Sequence, residues 1–259
     1  MSKTLIIDAD VLVYKASEAA QETIEIETVD NPDYICRILE YGNKKQAIDY
    51  IEEKIDSLLT KTKCTEYVIA LSDTENFRKE LFDSYKSNRR KMKPVLYNFL
   101  RDYFTNNHNT YQRPKLEGDD VIGILATSPT IIKGTKIVWS MDKDFKTIPC
   151  ILAKEYPSGK LEKIVTTEAE ANWYFMYQTL IGDVTDGYAG CKGIGDKRAR
   201  KLLGYPNDTT LEEMWSKVVT TYENAGYTKE DALLNARMAR ILRAEDYDFK
   251  KKEVKLWQI

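Results

Sequence analysis

The chain has 259 residues, 42% of them hydrophobic and 31% charged, with a net charge of −2 and a single histidine. That length builds one large domain or two closely joined ones. No stretch approaches the ~20 apolar residues of a membrane span, and the first residues do not read as a secretory signal. His108 alone excludes zinc sites built on several histidines, and its polar setting from Thr105 to Thr110 reads as a loop position, not a triad member. Cys36, Cys64, Cys150 and Cys191 lie far apart without Cys-x-x-Cys spacing and read as reduced thiols in a cytoplasm. Any chemistry must therefore come from carboxylates, lysines or a hard metal.

Short apolar runs at Thr4–Asp8, Glu66–Leu71 and Lys136–Ser140 predict strands covered on both faces, hence a parallel sheet. Thr110–Gln112 is a shorter strand candidate. Helices are expected from about Val11, over Lys44–Leu59 and from about Asp119, so the architecture is α/β. Between Arg78 and Arg101 eight Lys/Arg face two acids, a local charge of +6 inside a nearly neutral chain. Beyond Ile148 the pattern changes. Cys150–Tyr156 and Lys160–Val165 around Pro157-Ser158-Gly159 predict a hairpin, and Thr167-x-x-Glu170 opens a helix to about Ile181. A glycine-rich turn from Gly187 to Gly195 precedes a helix over Asp196–Leu203, and Thr210-x-x-Glu213 and Thr228-x-x-Asp231 open two more. The last third reads as a helical appendage to the sheet.

Each strand candidate runs into an acid: Asp8, Asp73, and the pair Asp142 and Asp144. In a parallel sheet these carboxyl ends lie on one edge, where such folds place their sites. Glu117-Gly118-Asp119-Asp120 adds three acids at a helix start, and Asp183 and Asp186 add two more. Singly, each acid is an ordinary turn or capping residue. Five clusters that all end apolar runs point to one cleft. So many carboxylates stay ionised together only if cations neutralise them, and an all-oxygen set favours Mg²⁺ or Mn²⁺. Two such ions about 4 Å apart are a known device for phosphodiester hydrolysis.

This set resembles the FEN-type 5′ nucleases, which comprise flap endonucleases, the 5′ nuclease domain of bacterial DNA polymerase I and phage 5′→3′ exonucleases. The likeness runs from Ile6 to about Leu203, and the tail from Ala236 through Trp257 is most similar to the phage branch. The resemblance implies a PIN-like, mostly parallel sheet flanked by helices over residues 1–165, with a helical arch at about 77–104. It also implies a helical region over 166–259 carrying a helix–three-turn–helix at about 180–204. Asp8, Asp73, Glu117, Asp119, Asp120, Asp142, Asp144, Asp183 and Asp186 match the family's metal ligands, with Asp120 and Asp142 central to catalysis. Asp10 has no counterpart and reads as a helix N-terminal acid.

Tyr85-Lys86-Ser87-Asn88-Arg89 resembles the motif at the base of the arch. Lys86 and Arg89 would stabilise charge on the scissile phosphate, Tyr85 would stack on a terminal base, and Arg78 and Arg90 would contact DNA. Gly190-Cys191-Lys192-Gly193-Ile194-Gly195 resembles the element that grips duplex backbone and holds K⁺, with Lys192, Gly193, Gly195, Lys197 and Arg198 as contacts. Residues 186–190 depart from the pattern of many relatives, Asp-Asn-x-Pro-Gly.

The implied activity is 5′→3′ exonuclease on duplex DNA with some flap endonuclease activity, dependent on Mg²⁺, with RNA–DNA hybrids as further substrates. It leaves a 5′ phosphate and a 3′ hydroxyl. No clamp-binding peptide or membrane contact is expected, and the setting is cytoplasmic, the host's if phage-encoded. On this reading Asp120→Asn abolishes cleavage and spares binding. A PIN-type ribonuclease, a non-catalytic structure-specific DNA-binding protein and a small-molecule phosphatase remain the alternatives.

Overall fold

The computed structural model describes residues 2–27, 35–88 and 92–259, with side chains given outside residues 23–40. The elements run β1 (Lys3–Asp8), α1 (Ala9–Ala19), β2 (Gln21–Glu27), β3 (Ile35–Gly42), α2 (Lys44–Thr62) and β4 (Glu66–Ala70). Next come α3 (Phe77–Leu81), α4 (Tyr97–Asn107), β5 (Thr110–Tyr111), α5 (Gly118–Thr127), β6 (Thr135–Trp139), β7 (Cys150–Glu155) and β8 (Leu161–Thr166). The chain ends with α6 (Glu168–Ile181), α7 (Asp196–Leu203), α8 (Leu211–Asn224), α9 (Lys229–Ala239), β9 (Tyr247–Asp248) and β10 (Glu253–Val254).

Six strands form one sheet in the order β5-β4-β1-β6-β7-β8, parallel except for the antiparallel hairpin β7–β8. The continuous apolar run of β1 has the expected cause. Leu5 and Ile7 pack on one face under α1, α2 and α4, whereas Ile6 packs on the other with Val121, Ile122 and Leu125 of α5. All three are completely buried, and each such side chain contributes about 1.5–3 kcal/mol. Asp8 follows Ile6 by two residues and so lies on the α5 face. The order of strands puts β1 in the middle, so its end is the centre of the carboxyl edge.

The second half has its own core, in which Phe175, Met176 and Leu180 of α6 pack among Ala199, Val218, Tyr222 and Ala236. Thr167, Thr210 and Thr228 each cap their helices with the reciprocal bonds that their Thr-x-x-Glu/Asp signatures predict. Sequence reasoning missed the β2–β3 hairpin, although Thr23-Ile24-Glu25-Ile26-Glu27 alternates as a strand does. Within the span 77–104 expected to form the arch, α3 and α4 stand at the ends, turns cover 83–88, and 89–91 lie outside the described residues. Among the described residues no helix is long and apolar enough to cross a membrane.

The loop after α6 folds back on itself through the bridge between Asp183 and Tyr188. Gly182 and Gly190 meet there with φ of +71° and +67°, and a Cβ on Gly190 would lie 2.4 Å from the Gly182 nitrogen. Gly159 also has a positive φ, but its turn is open. Gly190→Ala is therefore expected to cost about 1–3 kcal/mol from overpacking, on top of the left-handed strain it shares with Gly159→Ala. Urea midpoints of the two variants check this; equal losses would contradict it.

Candidate active site

Three acids from three elements face one another at the carboxyl edge. Asp8 closes β1, accepts from the Val11 amide at 3.4 Å and takes the Ser140 hydroxyl at 2.7 Å. Ser140 follows β6 and accepts from the Asp142 amide at 3.1 Å, and Asp142 accepts from the Asp144 amide at 2.8 Å to start a short 3-10 turn. Asp119 stands in the first turn of α5. Burial, then Asp10 and Asp142, raise the Asp8 carboxyl to about 7 against the opposing bonds from Ser140 and Val11. Burial, then the charges of Asp8 and Asp142, push Asp119 well above the carboxylate range. Asp8, Asp10, Asp119 and Asp142 line a single cleft of ≈ 1530 Å³. Among the described residues no three acids close into a ready-made cage, so they share an edge and a field without touching one ion-sized point.

The flanking acids are neutralised by fixed cations. Lys86 has a left-handed φ of 55°; its amide donates to the Asp186 carbonyl at 2.9 Å, and its ammonium pairs with Glu117 and reaches Asp186 at 3.7 Å. Burial would raise the Glu117 carboxyl, but Lys86 and Arg78 together hold it down at about 2. Lys143 bridges Asp144 at 3.2 Å and Asp183 at 2.8 Å, and Gln178 of α6 donates to Asp144 at 2.6 Å. Lys143 and the amides of Thr185 and Asp186 lower the Asp183 carboxyl despite its burial, whereas burial and Asp142 raise that of Asp144. Asp73 accepts from the Lys115 amide at 2.8 Å and the Gln112 side chain at 3.3 Å on the cleft rim. The sheet edge thus gathers Asp8, Asp73, Glu117, Asp119 and Asp142, with Asp144, Asp183 and Asp186 beside them.

Asp120, Arg78 and Tyr85 are placed otherwise than their motifs imply. Asp120 is completely buried: Arg78 holds both its oxygens, at 2.7 and 2.8 Å, and the Leu242 amide donates to one of them at 3.0 Å. Both oxygens of Asp120 are thus engaged inside the protein, where it pairs with Arg78 behind the acids that line the cleft. Arg78 is 2% exposed, and its guanidinium bonds to Asp120, to Glu117 at 3.1 Å and to the Arg240 carbonyl, which places it in the core and not on the surface. Tyr85 is equally buried; its hydroxyl donates to Glu117 at 2.9 Å and its ring packs against the second core at the wall of the cleft. Arg89 and Arg90 lie outside the described residues.

Sequence reasoning passed over Ser140, Lys143 and Gln178, because a lone serine, lysine or glutamine carries no pattern of its own. Asp10 does stand in the first turn of α1, but it also lines the cleft, held by the Ser72 amide at 3.0 Å and by Arg101 of α4 at 3.0 Å. Farther along, Lys192, Gly193, Gly195, Lys197 and Arg198 are all exposed, and Arg198 donates to the Gly193 carbonyl at 2.8 Å. Gly195 caps α7 without a side-chain bond, which leaves that helix's first amides open.

Breaking a buried ion pair by removing one partner costs about 3–5 kcal/mol. Arg78→Met and Asp120→Asn are both expected to lose stability on that scale, whereas Asp142→Asn, on the cleft, keeps the wild-type urea midpoint. An Asp120→Asn protein of full stability would return Asp120 to the cleft.

Comparison with known proteins agrees with this architecture. Residues 3–155 match the family described as 5′-3′ exonuclease, N-terminal resolvase-like domain. The chain is 33% identical to the exonuclease of Escherichia phage T7, over 98% of this chain and 93% of that protein. It is 32% identical to the exodeoxyribonuclease of Enterobacteria phage T3, over 98% and 92%. Among solved structures it resembles a bacteriophage T5 flap endonuclease, in a pseudo-enzyme-product complex with DNA and metal ions, with a TM-score of 0.63 and 14% identity over 92% of this chain and 89% of that one. A zinc-bound T5 5′-exonuclease gives 0.62 and 15% over the same shares. With its acids at the carboxyl edge of the matched sheet, and with relatives alike over nearly their whole length, this chain belongs to the 5′-3′ exonuclease family.

Proposed function

We propose that the protein is a divalent-metal-dependent 5′→3′ exonuclease with flap endonuclease activity on duplex DNA, and that Mg²⁺ is its ion. The observation that carries this is the mutual repulsion of Asp8, Asp119 and Asp142, three acids from three elements on one cleft. Carboxylates crowded on one cleft are a fit for hard divalent ions held by oxygen. Glu117, Asp119 and Asp142, with Asp8, would hold one ion, and Asp144, Asp183 and Asp186 would serve a second, with Asp73 on the rim. Ions bound there supply an activated water and neutralise charge on the phosphate.

The chain's own residues account for the rest. Ser140 donates to the Asp8 carboxylate and accepts from the Asp142 amide, which holds the two residues side by side. Lys86 is the cation nearest the acids on the arch side; its pairing with Glu117 keeps it aimed at the cleft, where it would meet a non-bridging phosphate oxygen. Arg89 belongs beside it by its motif. Lys192, Lys197, Arg198 and the open amides of α7 would hold the duplex as a helix–turn–helix does, with K⁺ on the carbonyls of the 190–195 turn. Contacts to phosphates position a duplex without reading its sequence, so preference would follow the free or flapped 5′ end, RNA–DNA hybrids included.

Digestion of labelled blunt, nicked and 5′-flapped duplexes with Mg²⁺, with and without EDTA, tests the activity. EDTA-sensitive release of mononucleotides bearing 5′ phosphates is expected, and binding without cutting in either Mg²⁺ or Mn²⁺ would overturn it. Because ion binding relieves repulsion in the folded state, Mg²⁺ at about 100 times its dissociation constant is expected to stabilise the protein by about 2.7 kcal/mol. Asp142→Asn is expected to lose both this shift and cleavage while still binding duplex. Lys197→Ala is expected to weaken binding and reduce the slope of log K against log salt by about 0.9; an unchanged slope would remove Lys197 from the interface.

A further inference from the structure

We infer that the β9–β10 hairpin, with Arg113 beside it, is a second grip on the phosphate backbone of the substrate, separate from the 190–203 segment. This rests on the nuclease reading above. The hairpin turn reads Phe249-Lys250-Lys251-Lys252, and Lys255 follows β10; all five side chains are exposed. Its shape is fixed. Asp248 accepts from the amides of Lys250 at 2.9 Å and Lys251 at 3.0 Å, and the Lys252 amide, at a left-handed φ of 59°, donates to the Asp248 carbonyl at 2.7 Å. Tyr247 is buried in the core that backs α5, with Val254 and Leu256 packed on it, so the lysines stand on a rigid platform.

The platform is joined to the cleft. Gln112 and the Lys115 amide bind Asp73 on the cleft rim, and Arg113 between them projects the other way. Its guanidinium lies 5.5 Å from the Tyr247 ring and 5.8 Å from the Phe249 ring. Four lysines and this arginine stand against Asp248 and Glu253, and Asp248 is engaged by its own turn. A solvated surface serving solubility alone mixes both signs and needs no fixed geometry. One-signed charge on a stiff turn, continuous with the cleft through one side chain, suits a polyanion that already runs through that cleft. Through Arg113, which follows β5, the hairpin stands next to the strand at the β5 end of the sheet. A duplex held there and at the 190–203 segment would be gripped at two places.

The test is equilibrium binding of a fluorescent nicked duplex, with Ca²⁺ in place of Mg²⁺ to prevent cleavage, over a series of salt concentrations. Lys250→Ala/Lys251→Ala is compared with wild type and with Lys63→Ala/Lys133→Ala, which removes equal charge from the amino-terminal edge of the sheet. The hairpin variant is expected to bind at least tenfold more weakly at 0.1 M salt, with a slope shallower by about 2, while the control loses neither. Equal effects in the two variants, or a wild-type slope in the hairpin variant, would overturn the proposal while leaving the nuclease reading intact. Failure of the wild-type protein to bind any duplex would overturn both.

Discussion

Like charge crowded onto one edge of a parallel sheet is the constraint around which this molecule is built. The parallel sheet makes the crowding unavoidable, because β1, β4 and β6 all end on the same side and each ends in an acid or three residues before one. What the fold controls is which acids are paired with a side-chain cation. Lys86 takes Glu117, Lys143 takes Asp144 and Asp183, Arg78 takes Asp120, and Arg101 takes Asp10. Asp8 and Asp142 share Ser140, and the charges of Asp8 and Asp142 outweigh that of Lys86 at Asp119, so repulsion persists at the centre of the edge.

The cations that neutralise the edge differ in kind, and the difference follows their burial. Lys86 and Lys143 are single point charges on flexible stems, able to leave one acid for another oxygen. Arg78 is locked in a bidentate fork inside the protein, where a lysine could not satisfy the same geometry. The local +6 between Arg78 and Arg101 is therefore not one patch. Its first member is a core residue, and Arg101 ties α4 to Asp10 and to the Ser72 carbonyl. Lys93 lies 4.0 Å from the Tyr97 ring centre and 5.5 Å from that of Tyr14.

This explains what could be read from sequence and what could not. The strands, the β7–β8 hairpin and the helices opened by Thr167, Thr210 and Thr228 are local: apolar runs, a Pro-Ser-Gly turn and capping boxes each announce themselves within a few residues. The convergence of the acids was legible because parallel topology turns a one-dimensional pattern into a common edge. The split of Asp119 from its neighbour Asp120 was not. Successive residues in the first turn of a helix point about 100° apart, so one meets the cleft and the other the core. Which is which depends on Arg78 and on Leu242, 122 residues away. The same distance hid the burial of Tyr85, whose ring belongs to a core made almost wholly by residues after 170.

The contact at Leu242 also decides how the two halves of the chain relate. The segment from Arg240 to Asp246 lies against α5: the Leu242 amide meets Asp120, the Ala244 amide meets Thr127, and a Cβ on Gly123 would lie 2.3 Å from the Leu242 carbonyl oxygen. Arg240 holds Asp246 and Glu245, while its own carbonyl accepts from Arg78; Arg243 reaches the Thr147 carbonyl at 2.9 Å. Buried polar groups of this kind are costly unless every partner is in place. Replaced by apolar packing, the segment could slide along α5 with little penalty; held by directional bonds, it has one position. That position sets Arg78, Arg78 sets Glu117, and so the chain's last 20 residues fix an acid at the start of α5 on the wall of the cleft.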